Sequence, residues 1–504
     1  MMAQPPSNRM KPTLDKDLDK LTRVEEATFH ITDRLSAPAA GLLFLIVTAI
    51  FASAYVVGKP GGMIVVAAAI LGAYMALNIG AKDVANNVGP AVGAKAIPLT
   101  AALVLAAICE VSGALITGGN VVETISRGII SVDTIPDKAI FAWAMLAALI
   151  TAGLLVNLSN LVKAPISTTH TIVGGVAGAG TAAYGFGAVD WFSLSKIALA
   201  WMTTPFISAF FAVVFLAFIK EKIIYRDDKI AAARLWVPVL IGVMSGVFTA
   251  YLIWVGLHNV VTVSMGTASL LGLAVGLLGW RLSVPLIRRQ SEGLENRNQS
   301  LRRLFQWPLI FAAAMMSFAH GANDVSNAIG PVVAIVRAMQ GQVVGDTARA
   351  PEWVMLIGAF GLSCGILLFG PRLIRLVGEQ ITKLNPMRAF CVSVSTALTV
   401  LVASRLGLPV STTHTAIGAV FGVGFFREWY TQRSRSRLEA ARQDEGDARQ
   451  TGGDDDNENS SEVRRRYLVR RSHFMTIVAA WVITVPTSAT LAAGLYGILY
   501  LLFA

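Results

Sequence analysis

Two stretches of this chain are near copies of each other. Residues 80–90 read GAKDVANNVGP and residues 321–331 read GANDVSNAIGP. A second motif follows each. Pro165-Ile166-Ser167-Thr168-Thr169-His170-Thr171 begins 82 residues after Asp83, and Pro409-Val410-Ser411-Thr412-Thr413-His414-Thr415 begins 85 residues after Asp324. The chain is therefore an internal duplication, and each copy carries a carboxylate, amides and hydroxyls inside apolar sequence. Polar groups at membrane depth are costly, so a repeated set of them marks a transport pathway.

The apolar setting is what makes these motifs informative. Hydrophobic residues make up 54% of the 504, charged residues only 14%, and mean hydropathy is +0.61. A soluble domain carries about a quarter charged residues. Apolar runs of about 20 residues, the length that crosses a bilayer as helix, recur along the chain. Strict period-two alternation is absent, which argues against a β-barrel. The net charge is +11, but the basic residues lie in short segments between apolar runs, as in cytoplasmic loops. No basic patch with interleaved aromatics suggests a nucleic-acid partner. Cys109, Cys364 and Cys391 all lie in apolar runs without CxxC spacing, so they read as buried thiols. Residues 1–37 are polar and lack the apolar core of a signal peptide; they read as a cytoplasmic extension.

Apolar segments fall near 38–57, 61–89, 97–118, 139–160, 165–186, 195–219, 236–257, 260–280, 307–330, 352–371, 388–404, 411–427 and 473–503. The expected fold is an all-α polytopic membrane protein with about 12–13 membrane segments. Segments 220–235, 281–303 and 372–388 are rich in Lys and Arg, whereas 119–138 and 338–351 are poor in them. The former should be cytoplasmic and the latter external. Counting spans between these anchors makes 61–219 a first repeat that starts outside and 304–504 a second that starts inside. Residues 220–303 join them through a helical hairpin at 236–280, and 38–57 is an extra leading helix. The repeats are then inverted, with their motifs meeting near the midplane around a pseudo-two-fold axis. The Gly-rich segments after the hydroxyl triplets fit either spans or re-entrant hairpins. Residues 428–471, Arg-flanked with an acidic centre, read as a disordered charged loop interrupting the second repeat.

Asp83 with Asn86, and Asp324 with Asn327, stand one helical turn apart and share a face. A carboxylate beside an amide carbonyl suits a small hard cation such as Na+. Flanking glycines and Gly-Pro pairs let the backbone unwind there. A polar helix end is the bland alternative, and two copies in register weigh against it. In the second motif Pro precedes Ser167, Thr168 and Thr169, or Ser411, Thr412 and Thr413. One hydroxyl suffices to cap a helix. Three at a helix start form a ready anion site, favoured by the dipole. Such neutral donors bind an oxyanion weakly enough to release it. A co-bound cation supplies the missing charge, which makes the two bindings interdependent. Glu110 is a lone carboxylate within 97–118, where the second copy has Ser363-Cys364-Gly365; it reads as a proton or cation site. His170 and His414 are placed to orient a hydroxyl or carry a proton. His320 has Ile79 at the equivalent position and so lacks a counterpart. Trp201 with Pro205, and Trp481 with Pro486, read as packing and kink positions.

Both motif pairs and their inverted duplication resemble the inorganic phosphate transporter (PiT) family over about residues 61–504, apart from the insert. The resemblance implies an intramembrane phosphate site, helical hairpins, cation-coupled uptake without a resident cofactor, and a homodimer. It places binding residues at Asp83, Asn86, Asp324, Asn327 and the two hydroxyl triplets, and Glu110 matches a carboxylate of the family. Lys82 departs from it: the family has Asn there, and Asn323 keeps it in the second copy. A lysine that neutralises Asp83 would occupy the place of a coupling cation, giving fewer sodium ions or protons instead. The resulting expectation is a symporter importing inorganic phosphate with H+ or Na+ in a bacterial inner (plasma) membrane. A permease for sulfate or for a metal-phosphate complex is the alternative on the same fold. A membrane enzyme is disfavoured, since no GxSxG or HExxH occurs and a duplicated site does not suit a single nucleophile. A channel differs from a symporter in lacking gradient-driven accumulation.

Overall fold

A computed structural model describes residues 35–130, 137–162, 166–256, 263–340, 350–378, 385–446 and 471–503. Most of the N-terminal extension, Pro165 and residues 447–470 of the acidic insert lie outside the described residues. The chain runs through α1 (Leu35–Val56), α2 (Gly62–Asn87), α3 (Gly89–Gly93), α4 (Leu99–Thr117), α5 (Gly119–Arg127), α6 (Lys138–Val162), α7 (Thr168–Tyr184) and α8 (Trp191–Ile219). It continues through α9 (Lys229–Tyr251), α10 (Met265–Gln290), α11 (Asn298–Leu304), α12 (Gln306–Met339), α13 (Glu352–Gly378), α14 (Pro386–Arg405), α15 (Thr412–Gly446) and α16 (Arg471–Phe503). Among the described residues the only β pairing is an isolated bridge between Ile130 and Val189. Several helix starts have side-chain caps: Asp190 for α8, Asp228 for α9, Ser264 for α10, and Asn385 with Pro386 for α14. Each satisfies an N–H that the first turn leaves free.

Ten helices among the described residues are long and apolar enough to cross a membrane. The protein is an integral, multi-pass membrane protein. The other three of the thirteen expected segments are α7, α12 and α15, all of them motif-bearing. With 17 residues, α7 spans about 25 Å at 1.5 Å per residue, less than a hydrocarbon core. In α12 the motif residues dilute the hydropathy of a long helix. Exposed apolar side chains such as Phe206, Phe210, Leu270, Leu273 and Leu277 lie on α8 and α10, the faces suited to lipid. α15 departs from expectation: it continues as helix through residues 428–446, the first part of the stretch read as a loop.

The hairpin α9–α10 packs through two small-residue repeats. A Cβ on Gly242 would lie 2.8 Å from the Gly276 carbonyl oxygen, and one on Gly272 would lie 2.6 Å from that of Gly246. Backbones approach this closely only where side chains are absent, which is how membrane helices gain packing contact.

The remaining helices pair across the duplication. α4 lies on α12 while α13 lies on α2, and α7 lies on α16 while α15 lies on α8. α2 and α12 run antiparallel: Gly61 before α2 contacts Met339 at the end of α12, and Gly72 contacts Val332. The crossings are matched. A Cβ on Gly80 would lie 2.0 Å from the Leu362 carbonyl oxygen, and one on Gly321 would lie 2.1 Å from that of Glu110. The motif glycines therefore seat α13 and α4 against the two polar helices. α12 forms the centre, with every residue from Met315 to Arg337 buried.

Candidate functional site

α7 and α15 begin in the protein interior, with Ser167 and Ser411 both buried. Each serine caps its own helix, accepting from the His170 or His414 backbone N–H at 3.3 Å. That leaves the two threonines of each triplet for other partners. Thr168 Oγ1 donates to Asp324 Oδ2 at 3.5 Å and Thr412 Oγ1 donates to the same oxygen at 3.3 Å. Two helix N-termini from opposite copies thus converge on one carboxylate. Thr413 Oγ1 donates to Asp83 Oδ1 at 3.0 Å.

The asparagines tie the copies together reciprocally. Asn86 Nδ2 donates to Thr413 Oγ1 at 3.0 Å, and Asn327 Nδ2 donates to Thr169 Oγ1 at 3.0 Å. Asn86 also reaches Asp83 Oδ1 at 3.3 Å. The expected pairing of Asn327 with Asp324 is replaced by its bond to Thr169. The Asn327 and Asp324 Oδ1 atoms and Asp83 Oδ2 are buried and accept no hydrogen bond among the described residues. Buried oxygens of this kind suit a hard cation or the hydroxyl of a protonated oxyanion.

His320, given little weight from sequence, stands at the centre. Its Nδ1 lies 2.9 Å from Glu110 Oε1, and its Nε2 lies 3.4 Å from Asp324 Oδ2 and 3.9 Å from Asp83 Oδ2. All four side chains are buried. Asn87 Nδ2 donates to Glu110 Oε1 at 2.6 Å. Glu110 is therefore not solitary but a partner of His320 and Asn87. One imidazole stands among three carboxylates, an arrangement that holds charge at depth through mutual pairing. Asp83, His320 and Asp324 offer ligand atoms within 4.8 Å of one another.

Lys82 and Asn323 occupy equivalent positions and do equivalent work. The Lys82 ammonium donates to the Ile166 carbonyl, just before α7. Asn323 Nδ2 donates to the Leu408 carbonyl at 3.1 Å, and its Oδ1 accepts from the Val410 N–H at 3.1 Å, just before α15. No ion pair joins Lys82 to Asp83 among the described residues. His170 and His414 pack ring to ring with centroids 5.0 Å apart, and His170 lies 4.0 Å from Trp201. The His170 ring nitrogens make no hydrogen bond among the described residues. Trp201 is more than a packing residue, since its indole N–H donates to the Pro409 carbonyl at 2.8 Å.

His320, Asn87 and Asn323 are the site residues that sequence reasoning underweighted. His320 precedes Asp324 by one turn and shares its face, and that spacing was the available signal. Asn87 adjoins Asn86 but projects toward α4. Its partner could be named only once α4 was placed.

The chain matches the phosphate transporter family over residues 79–492. A Helicobacter pylori strain 26695 protein named "Putative phosphate permease" is 40% identical over 523 aligned positions, covering 95% of this chain and 98% of that protein. A like-named protein of Pyrococcus abyssi is 35% identical, covering 71% and 88%. A solved structure described as "The sodium-dependent phosphate transporter" superposes with a TM-score of 0.76 at 31% identity, covering 88% of this chain and all of that one. The four motifs, the helix pairing around them and these likenesses agree: this chain belongs to the phosphate transporter family.

Proposed function

We propose that the protein imports inorganic phosphate as a secondary active symporter of the bacterial inner membrane, coupled to H+ or Na+, by alternating access around the site on α2, α7, α12 and α15. The observation that carries this reading is the meeting of Thr168 and Thr412 on one Asp324 oxygen. Hydroxyls at the starts of two helices face the same point, where the helix dipoles favour an anion. Phosphate placed there takes the threonine hydroxyls as donors, and a protonated phosphate oxygen donates to Asp83 or Asp324. Sulfate has no proton to give at neutral pH, so two acceptor carboxylates favour phosphate over it.

The orphaned oxygens of Asp83, Asp324 and Asn327 are the natural seat of the co-transported cation. Two readings of that cation have support. The solved relative is described as sodium-dependent. Lys82 in place of an asparagine, and His320 among the carboxylates, favour protons. The antiparallel packing of α2 on α12, together with the basic loops, supports inverted repeats that rock against each other. The matched glycine crossings and reciprocal Asn–Thr bonds support such a motion, because exchange of the two halves would leave comparable contacts on either side.

The test is radiolabelled phosphate uptake into proteoliposomes, with an imposed proton gradient in one set and a sodium gradient in another, and excess sulfate as competitor. Uptake driven by either gradient and resistant to sulfate is the expected result. Absence of uptake in both sets, or abolition by sulfate, overturns the substrate assignment. Lys82→Asn measured in the same assay should raise the dependence on sodium; an unchanged ion dependence removes Lys82 from coupling.

A further inference from the structure

A depression of about 450 Å³ opens between α5 and the turn that joins α14 to α15, lined by Asn120, Glu123, Thr124, Arg127, Arg405 and Gly407, among others. The loop charges put this mouth on the outside, because α14 starts at the basic segment 372–388 and α5 lies in the Lys/Arg-poor one. Its basic residues are set differently. Arg127 Nε pairs with Glu123 Oε1 at 3.1 Å, while Glu123 Oε2 also accepts from buried Arg337 Nη1 at 2.8 Å. The Arg405 guanidinium carbon lies 4.7 Å from the Trp254 ring centroid, and its buried Nε has no hydrogen-bond partner among the described residues. No carboxylate lies within ion-pair distance of Arg405 among the described residues. A partly buried guanidinium that lies over an indole and lines a cavity, with no carboxylate beside it among the described residues, is prepared for an oxyanion.

The turn beneath this depression leads to the transport site. Gly407 adopts φ +66°, and the bonds Gly407 N–Ser404 O and Leu408 N–Ala403 O close the helix end in a Schellman arrangement. A Cβ on Gly407 would lie 3.1 Å from Thr124 Oγ1, whose hydroxyl donates to the Gly407 carbonyl at 2.6 Å. The next carbonyl, Leu408, accepts from Asn323, the neighbour of Asp324. Arg405 therefore stands on the strap that presents Ser411, Thr412 and Thr413.

We propose that this depression is a second anion site, where Arg405, assisted by Arg127 and Asn120, takes inorganic phosphate from the outer solution before it passes to the central hydroxyls. Glu123 competes with the incoming anion for Arg127 and so keeps the site weak enough to release its cargo inward. This inference rests on phosphate being the substrate.

The experiment measures phosphate uptake by the full-length protein in proteoliposomes over a range of phosphate and salt concentrations, for wild type, Arg405→Gln, Arg405→Lys and Asn120→Asp. Arg405→Gln should raise KM about fivefold or more with the maximal rate unchanged, and should flatten the salt dependence of uptake at low phosphate, as loss of a steering charge does. Arg405→Lys should recover part of the affinity. Asn120 is exposed, so Asn120→Asp tests the site without disturbing the fold. It should also raise KM, and it decides the matter alone if Arg405→Gln does not fold. Unchanged KM in folded Arg405→Gln, or in Asn120→Asp when the other variant is lost, overturns the second site. Wild type that takes up no phosphate would instead fail the functional reading on which it rests.

Discussion

The two copies of the repeat share a frame but not a chemistry. The frame is matched almost bond for bond: Asn86 reaches Thr413 as Asn327 reaches Thr169, Ser167 caps as Ser411 caps, and Gly80 meets α13 as Gly321 meets α4. The charged centre is not matched. His320 faces Glu110, whereas the equivalent positions are Ile79 and the Ser363 region. Asp324 accepts from threonines of both copies, whereas Asp83 accepts from Thr413 of the second copy and Asn86 of its own and, among the described residues, from no hydroxyl of its own copy. Under the proposed alternating access, matched framework contacts would let two arrangements of the halves have similar energy. The unmatched centre would then place the proton and cation chemistry in one copy of the interface. On that proposal symmetry serves motion and its breaking serves coupling.

The sharpest way to break this comparison is to remove an unmatched group and its nearest counterpart. Glu110→Ala leaves buried His320 without its 2.9 Å partner and should cost about 3–5 kcal/mol, as loss of one member of a buried pair does. Ser363→Ala removes only a hydroxyl bonded to the Ala107 carbonyl and should cost about 1 kcal/mol. Thermal denaturation of the purified protein in detergent reads both, and equal losses would put the copies back on one footing. The two aspartates come next. Asp324→Asn should lower phosphate uptake by about 100-fold, equivalent to about 2.7 kcal/mol, and Asp83→Asn by clearly less, in the proteoliposome assay. Equal losses would contradict the central place given to Asp324.

Changes in the frame should act in pairs. Gly80→Ala and Gly321→Ala each drive a methyl into a backbone carbonyl and should each destabilise by about 1–3 kcal/mol, the usual range for overpacking. A difference larger than that range would show that the two crossings are not equivalent. The smallest effects are expected at the caps. Ser167→Ala and Ser411→Ala should each cost about 1 kcal/mol, read by the same thermal measurement.

Most of the fold is legible in the sequence because its signals are local. Apolar runs, basic loops and Gly-Pro punctuation place the spanning helices, most of them to within a few residues, though α10 and α12 run on by 10 and 9 residues past the expected ends. The hydroxyl triplets mark the starts of α7 and α15 through capping alone. The continuation of α15 through 428–446 escapes such a reading because dense charge resembles disorder, although Arg, Leu, Glu and Ala are all good helix formers. The candidate site is half legible. The duplicated residues declare themselves by repetition, whereas His320, Asn87 and the Lys82–Ile166 contact have no such mark. Glu110 and His320 are 210 residues apart, and only the packing of α4 on α12 through Gly113 and Gly321 brings them together. Long-range juxtaposition of unrepeated residues is the information that a single sequence carries least directly.

The central claim is that the hydroxyls of both copies serve one phosphate. A double-mutant cycle of Thr168→Val and Thr412→Val on the equilibrium affinity of the purified protein for phosphate tests it most directly. Shared use of one ligand predicts that the double variant departs from additivity by about 0.5 kcal/mol or more. Losses that simply multiply, as for independent sites, would contradict it.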